Sequence, residues 1–327
     1  VSHGTGHAWQ PVSPCGSGCL PSRPDRVPAA AVWGRWLALI AVAASSVLLP
    51  VLRLLPAGPR SSAHRVLART ALRGIGIRLG VRGGAADFGG VLVVAGHVSW
   101  LDVLVLAAVV PGRFVARADL VSWPLLGGVA RRAGVVPIER DRLRRLPDTV
   151  AVVRDRLAAG ETVIAFPEGT TWCGRSYGRF RPALFQAAID SGRPVVPVSI
   201  DYVDASGVRT TGPSFVGDEG IGASMLRILR SRGVRAAVTV GPVQQPGTDR
   251  RELAERCEWH VRRVTDVSVD MTGTRDGLSW SGHDLACPQF RGLPRPRRDH
   301  PPVSGHDRGD DRGVRHRGQR VVAARIG

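Results

Sequence analysis

His97 and Asp102 are the residues whose types and spacing point most directly to chemistry. A β-branched apolar run from Val91 ends at Gly96, so His97 falls where a buried strand leaves its sheet. Ser99 is placed to cap the apolar helix that comes next, and Asp102 lies in its first turn, where the helix dipole favours a carboxylate. On one continuous helix two side chains at this spacing diverge. They meet only if His97 sits on the preceding turn and Asp102 inside the helix. An imidazole with a carboxylate on one ring nitrogen is a general base for a hydroxyl: the other nitrogen takes the proton, and the carboxylate holds the tautomer. A surface histidine beside a helix-capping aspartate explains an isolated H-x-x-x-x-D pattern equally well, so the weight falls on the residues C-terminal to it.

The elements that must position this pair alternate. Strands are expected over 114–116, 135–138, 162–166, 195–200 and 236–240, the fourth interrupted by Pro197. Helices are expected over 123–133, 146–159, 182–191 and 251–265. Such alternation indicates an α/β domain. In an open α/β sheet the residues after the carboxyl ends of strands converge in one crevice. That brings Arg140, then Glu168, Gly169 and Thr170, towards His97 and Asp102, with Arg181 as a second cation. Arg140 offers a planar fork for a phosphate, Gly169 allows close approach of backbone to ligand, and Glu168 can accept from a hydroxyl or fix Arg140.

The chain has 327 residues and 45 basic side chains, for a formal charge of +18. It contains neither Lys nor Asn, so every basic residue is Arg; part of the charge then reflects a GC-rich genome as much as a polyanionic partner. Cys15, Cys19, Cys173, Cys257 and Cys287 are scattered and odd in number, and imply no disulfide framework. Cys15-x-x-x-Cys19 has no second ligand pair near it in sequence, so no metal site is assigned.

Residues 1–30 are aperiodic and read as a disordered extension. Residues 31–56 contain an uncharged apolar run, Trp36 to Leu52, at the short end of the ~17–25 residues that span a bilayer, and read as a membrane-associating helix. A signal peptide and a buried core helix are the competing readings. The arginines after the run, Arg53, Arg60, Arg65, Arg69 and Arg73, place its C-terminal side in the cytoplasm. Arg65, Arg69 and Arg73 mark a helix that either lies on anionic lipid or packs on the domain with a solvated face. Residues 57–267 form the catalytic domain, and 268–327 an Arg- and Pro-rich disordered tail that lacks the aromatics of a nucleic-acid stacking platform.

Taken together, four blocks resemble the glycerolipid acyltransferase family, most closely the 1-acylglycerol-3-phosphate (lysophosphatidic acid) acyltransferases. They are Gly96 to Asp102, Gly134 to Arg140, Phe166 to Thr170, and Val195 to Val198, in the family's order and spacing. The resemblance implies a single α/β domain with a central mixed sheet flanked by helices. It implies acyl transfer from acyl-CoA or acyl carrier protein to a lysolipid hydroxyl at the cytoplasmic face of the cell membrane, without cofactor or metal. His97 is then the base and Asp102 its partner, while Arg140, Glu168, Gly169, Thr170 and Arg181 bind the acceptor. Thr171-Trp172-Cys173 and Phe180-Arg181-Pro182 depart from the family pattern. The Glu168-Gly169-Thr170-Thr171 variant is similar to acyltransferases of lyso-ornithine lipids, which keeps that acceptor open. A non-catalytic membrane-surface protein or a nucleic-acid binder has no need of the His97–Asp102 pair together with the later blocks.

Overall fold

The computed structural model describes residues 11–22, 25–45, 47, 49–52, 54–83, 89–123, 126–139 and 142–265. Seven strands form one sheet: β1 (Arg78–Arg82), β2 (Leu92–Ala95), β3 (Arg113–Arg117), β4 (Val136–Ile138), β5 (Val163–Ala165), β6 (Val195–Val203) and β7 (Arg235–Val240). Their order is β1-β7-β6-β2-β5-β3-β4. Every pairing is parallel except β6 with β7, so the sheet is mixed. The Leu92–Ala95 run is buried throughout, as expected of a strand covered on both faces.

The helices are α1 (Ala29–Ser45), α2 (Leu49–Leu52), α3 (Ala57–Gly74), α4 (Leu101–Val109), α5 (Leu126–Ala133), α6 (Leu146–Ala158), α7 (Phe185–Asp190), α8 (Ile221–Arg230) and α9 (Arg250–Thr265). Two apolar clusters hold them on the sheet. Leu72 of α3 and Leu101, Val105 and Leu106 of α4 pack with Val93 on one side; Val153 and Leu157 of α6, Phe185 of α7 and Leu253 of α9 pack with Leu92 and Val94 on the other. This split results from strand pleating, which sends Val93 and its neighbours Leu92 and Val94 to opposite faces.

Three expectations need correction. Pro197 does not interrupt β6, which runs on to Val203. The β7 ladder reaches only as far as Val240 opposite Val198, and beyond it the Pro197 carbonyl accepts from Gly241 at 2.8 Å. The missing N–H therefore faces the side where the ladder has already ended. The apolar run 36–52 is divided between α1 and α2, and among the described residues no helix is long and apolar enough to cross a membrane. Finally, the described part of the N-terminal segment, expected from its composition to be disordered, packs on the domain. Cys15 and Cys19 are buried, Val27 N–H donates to the Arg230 carbonyl, and Arg26 bridges to Ser231. Its polar, Pro- and Gly-rich composition hid contacts made by a few apolar side chains. The tail from residue 266 lies outside the described residues.

The strand β1 and the helix α8 were not anticipated; β1 is short, glycine-containing and half-exposed, so its pattern is weak. Helix α3 resolves the two readings of its arginine row in part. Ala68 and Leu72 are buried, and the Arg69 guanidinium donates to the Ala108 carbonyl at the end of α4.

Candidate active site

Strands β2 and β5 are parallel neighbours with Val94 beside Ala165, so the segments after them leave the sheet side by side. His97 leaves β2, and Phe166 to Thr170 leave β5. Strand β6 pairs with β2 in parallel but continues five residues past the Ala95–Val198 pair, which carries Tyr202 over the turn that bears His97.

Asp102 is the centre of the arrangement. It is wholly buried, in the first turn of α4, and it accepts four hydrogen bonds. One carboxylate oxygen takes His97 Nδ1–H at 2.9 Å and the backbone N–H groups of Val98 and Ser99 at 2.7 and 2.8 Å. The other takes the Tyr202 hydroxyl at 2.6 Å. The Ser99 hydroxyl accepts from Leu101 N–H at 3.2 Å, but the N-cap position of α4 is Trp100, so the serine sits one residue before the cap and does not fill it. The Nδ1 proton is assigned by chemistry: an ionised carboxylate in contact requires a donor. That leaves Nε2 of His97 as the ring nitrogen with a free lone pair. The ring is partly exposed and stacks on Phe166 at 4.0 Å between centroids, 14° from parallel.

Glu168 lies beneath this pair. It is 4% exposed, and its carboxylate accepts from the N–H of His97 at 2.7 Å and of Gly178 at 3.2 Å. Burial pushes its pKa up to about 8, against those two bonds and the Arg262 charge, which pull it down. The expectation that it binds a substrate hydroxyl gives way to a different placement: one oxygen is committed to the backbone that carries the base, the other to the backbone of Gly178 on the loop after β5. Gly169 has φ +75°, and a Cβ there would lie 2.8 Å from Pro11 Cγ. Glycine is thus required by backbone conformation and by contact with the N-terminal segment. Thr170 is half-buried beside Thr171, whose hydroxyl donates to the Phe215 carbonyl.

Arg181 is exposed and lies next to Gly169 on a cleft of about 670 Å³, lined also by Phe166, Pro167, Ile138 and Val150. The cleft therefore touches the ring on which His97 stacks. Arg140 lies outside the described residues. A larger cavity, about 950 Å³, opens at the β1–β7 edge among Arg35, Arg69, Arg73, Arg78, Arg232 and Arg235, and contains neither member of the pair. The smaller cleft contains neither member of the pair either, but Phe166 on its wall stacks on His97, so it is the one of the two that adjoins the pair.

Sequence reasoning missed three participants. Burial, the Asp102 charge and the hydrogen bond to it all raise the Tyr202 pKa, keeping the hydroxyl a donor. Arg262 on α9 donates to the Gly178 carbonyl at 2.6 Å and pairs with Glu258, whose carboxylate takes Phe180 N–H. Those two α9 residues pin the loop that Glu168 supports. The single aromatic residue of a fully buried strand was the available signal for Tyr202.

The Acyltransferase family model matches residues 83–201, which span the His97–Asp102 pair and all four blocks. The 1-acyl-sn-glycerol-3-phosphate acyltransferase of Neisseria gonorrhoeae is 35% identical over 215 residues, 65% of this chain and 84% of that protein. The lyso-ornithine lipid O-acyltransferase of Rhodobacter capsulatus is 32% identical over 262 residues, covering 73% and 93%. That of Pseudomonas aeruginosa is 35% identical over 189 residues, covering 56% and 71%. The crystal structure of the 1-acyl-sn-glycerophosphate (LPA) acyltransferase PlsC of Thermotoga maritima superposes with a TM-score of 0.55 at 18% identity, over 72% of this chain and 94% of that one, and shares its fold. With most of each relative's length matched around a histidine–aspartate pair, this chain belongs to the acyltransferase family.

Proposed function

We propose that this acyltransferase esterifies the free hydroxyl of lysophosphatidic acid with an acyl chain from acyl-CoA or acyl carrier protein. The observation that carries the reading is the His97–Asp102 pair, with Nδ1 engaged and Nε2 left to the acceptor. Nε2 takes the hydroxyl proton as the oxygen attacks the thioester carbonyl. The tetrahedral intermediate then expels the thiolate, which takes the proton back from the imidazolium. Asp102 fixes the tautomer and offsets the transient charge, while Tyr202 and the backbone N–H groups hold Asp102 in place. Arg181 and Arg140 are the cations for the acceptor's phosphate, and the apolar part of the cleft at Ile138 and Val150 receives chain.

The exposed side chains Trp33, Leu37 and Ile40 of α1, with Leu54 beyond it, support docking on a membrane surface, which we place at the cytoplasmic face. A second acceptor, a lyso-ornithine lipid, is favoured by relatives of that name at comparable identity and by the Glu168 to Thr171 block.

The test is acyl transfer by the purified full chain on lysophosphatidic acid and on a lyso-ornithine lipid, with both donor types. His97→Ala is expected to lower kcat by ~10²–10⁴ without loss of fold. Acylation of the ornithine lipid alone would move the acceptor assignment. Equal turnover by His97→Ala would remove the base.

A further inference from the structure

Cys15, Cys19 and Cys173 are far apart in sequence but meet at one buried point, each at most 2% exposed, with their three sulfurs within 4.8 Å of one another. Cys15 precedes and Cys19 ends the short 3₁₀ turn Ser17–Cys19, and Cys173 ends the Thr171-Trp172-Cys173 departure from the family pattern. The Cys15 and Cys173 thiols hydrogen-bond to each other, and the backbone N–H groups of Arg175 and Ser176 donate to the Cys173 sulfur. Gly174, at φ +79°, makes the turn that aims those donors back. The surrounding polar groups are satisfied: Thr211 donates to the Cys19 carbonyl and Ser214 to the Cys173 carbonyl. Cys15 and Cys173 are free thiols, whereas Cys19 is disulfide-bonded.

We propose that in the reduced protein Cys15, Cys19 and Cys173 form a three-thiolate site for a soft divalent cation, with Zn²⁺ the best fit. Zn–S bonds of about 2.3 Å in tetrahedral geometry require these sulfurs to close by no more than roughly 1 Å. The arrangement suits a cation better than a redox bridge, because a disulfide joins two sulfurs and leaves the third buried beside it. Backbone N–H groups aimed at sulfur stabilise a thiolate ligand. A dithiol or phosphine first reduces the Cys19 disulfide by two electrons. The three thiols then lose three protons and form three Zn–S bonds. Among the described residues no other His, Cys, Asp or Glu joins the group, so one coordination position remains beyond these three.

The site would act as a clasp. Trp172 N–H donates to the His97 carbonyl at 2.7 Å and Phe215 N–H to the Val98 carbonyl at 2.8 Å, so the loop bearing Cys173 is bonded directly to the turn that carries the base. A cation there ties the N-terminal segment, which also covers Gly169, to the catalytic turn.

The experiment uses the whole untagged 327-residue chain purified in phosphine reductant, with zinc content read by elemental mass spectrometry and Co²⁺ substitution read by its thiolate charge-transfer absorption. About one zinc per chain is expected. Cys15→Ser and Cys173→Ser should each weaken binding at least about 100-fold, while Cys257→Ser, buried on α9 away from the cluster, should keep it. If the serine variants fail to fold, wild-type protein still decides: Zn²⁺ should protect three thiols from alkylation. Folded, reduced wild type that binds neither Zn²⁺ nor Co²⁺, or that retains a Cys15–Cys173 bridge in reductant, overturns the proposal. These readouts do not depend on turnover, so failure of the acyl-transfer reading would leave them intact.

Discussion

The turn between β2 and α4 and the outer face of α1 are opposite departures from the ordinary inside-out rule. At the first, a carboxylate, a tyrosine hydroxyl and a second carboxyl group are buried among strand ends. At the second, Trp33, Leu37 and Ile40, spaced to share one helical face, are 70%, 65% and 59% exposed, while Val32, Trp36 and Leu39 cover the core. Buried polar groups and exposed large apolar groups are the informative residues of a folded chain. The polar cluster is tolerated because Asp102, Tyr202 and Glu168 are hydrogen-bonded, and the apolar face costs little stability because α1 already packs its other side. The first region therefore fails steeply when altered, and the second fails only in what it touches.

Asp102→Ala should give the largest effect. It leaves four donors without their acceptor and removes the partner of His97. Stability should fall by about 3–5 kcal/mol in denaturant titration, with turnover lost. If the variant unfolds at the wild-type midpoint, the description of the buried cluster is wrong.

Glu168→Gln probes the same cluster through pH. The folded protein holds a proton on Glu168 up to about pH 8, whereas the unfolded chain releases it near 4.5. The wild type's contribution from this group is thus full below 4.5 and is lost as pH rises through 8, by on the order of 3–5 kcal/mol. The amide cannot titrate, so the difference in melting temperature between variant and wild type should shift in the variant's favour from pH 5 to 9. A constant difference across that range would contradict the raised pKa.

Tyr202→Phe removes one donor from Asp102 while the ring still fills its space. A loss of about 1–2 kcal/mol is expected, with kcat reduced more than KM is changed. An effect on KM alone would instead place Tyr202 in acceptor binding. Leu37→Ser on α1 is the smallest in stability, within about 0.5 kcal/mol, yet it should weaken sedimentation with anionic vesicles. A large destabilisation would mean that this face is covered within the folded chain.

What the sequence revealed divides along similar lines. His97 and Asp102 were legible because strand, turn and helix onset are contiguous, so one short stretch carries the whole geometry. Strands β2 and β5 were legible because complete burial gives unbroken apolar runs. Tyr202, Arg262 and Glu258 were not, since each acts across a distance in sequence that no local period encodes; Tyr202 stands a hundred positions from the carboxylate it meets. The Cys15-x-x-x-Cys19 pair was set aside for the same reason, its companion being brought in by the fold. Glu168 was found but misplaced, because a carboxylate after a strand end looks the same whether it faces a ligand or the neighbouring backbone.

The sheet joins its first strand to its last, β1 against β7. On the ribosome, β1 is made long before Arg235 to Val240 exist. At ~5–20 residues per second, the wait is on the order of 10–30 s. During that interval β1 is an unpaired edge, the kind of segment on which nascent chains stick to one another. It is five residues long, carries Arg78 and Arg82 at its two ends, and has Gly80 at its centre. Charge at both ends and a weak middle are what keep a waiting strand from finding the wrong partner.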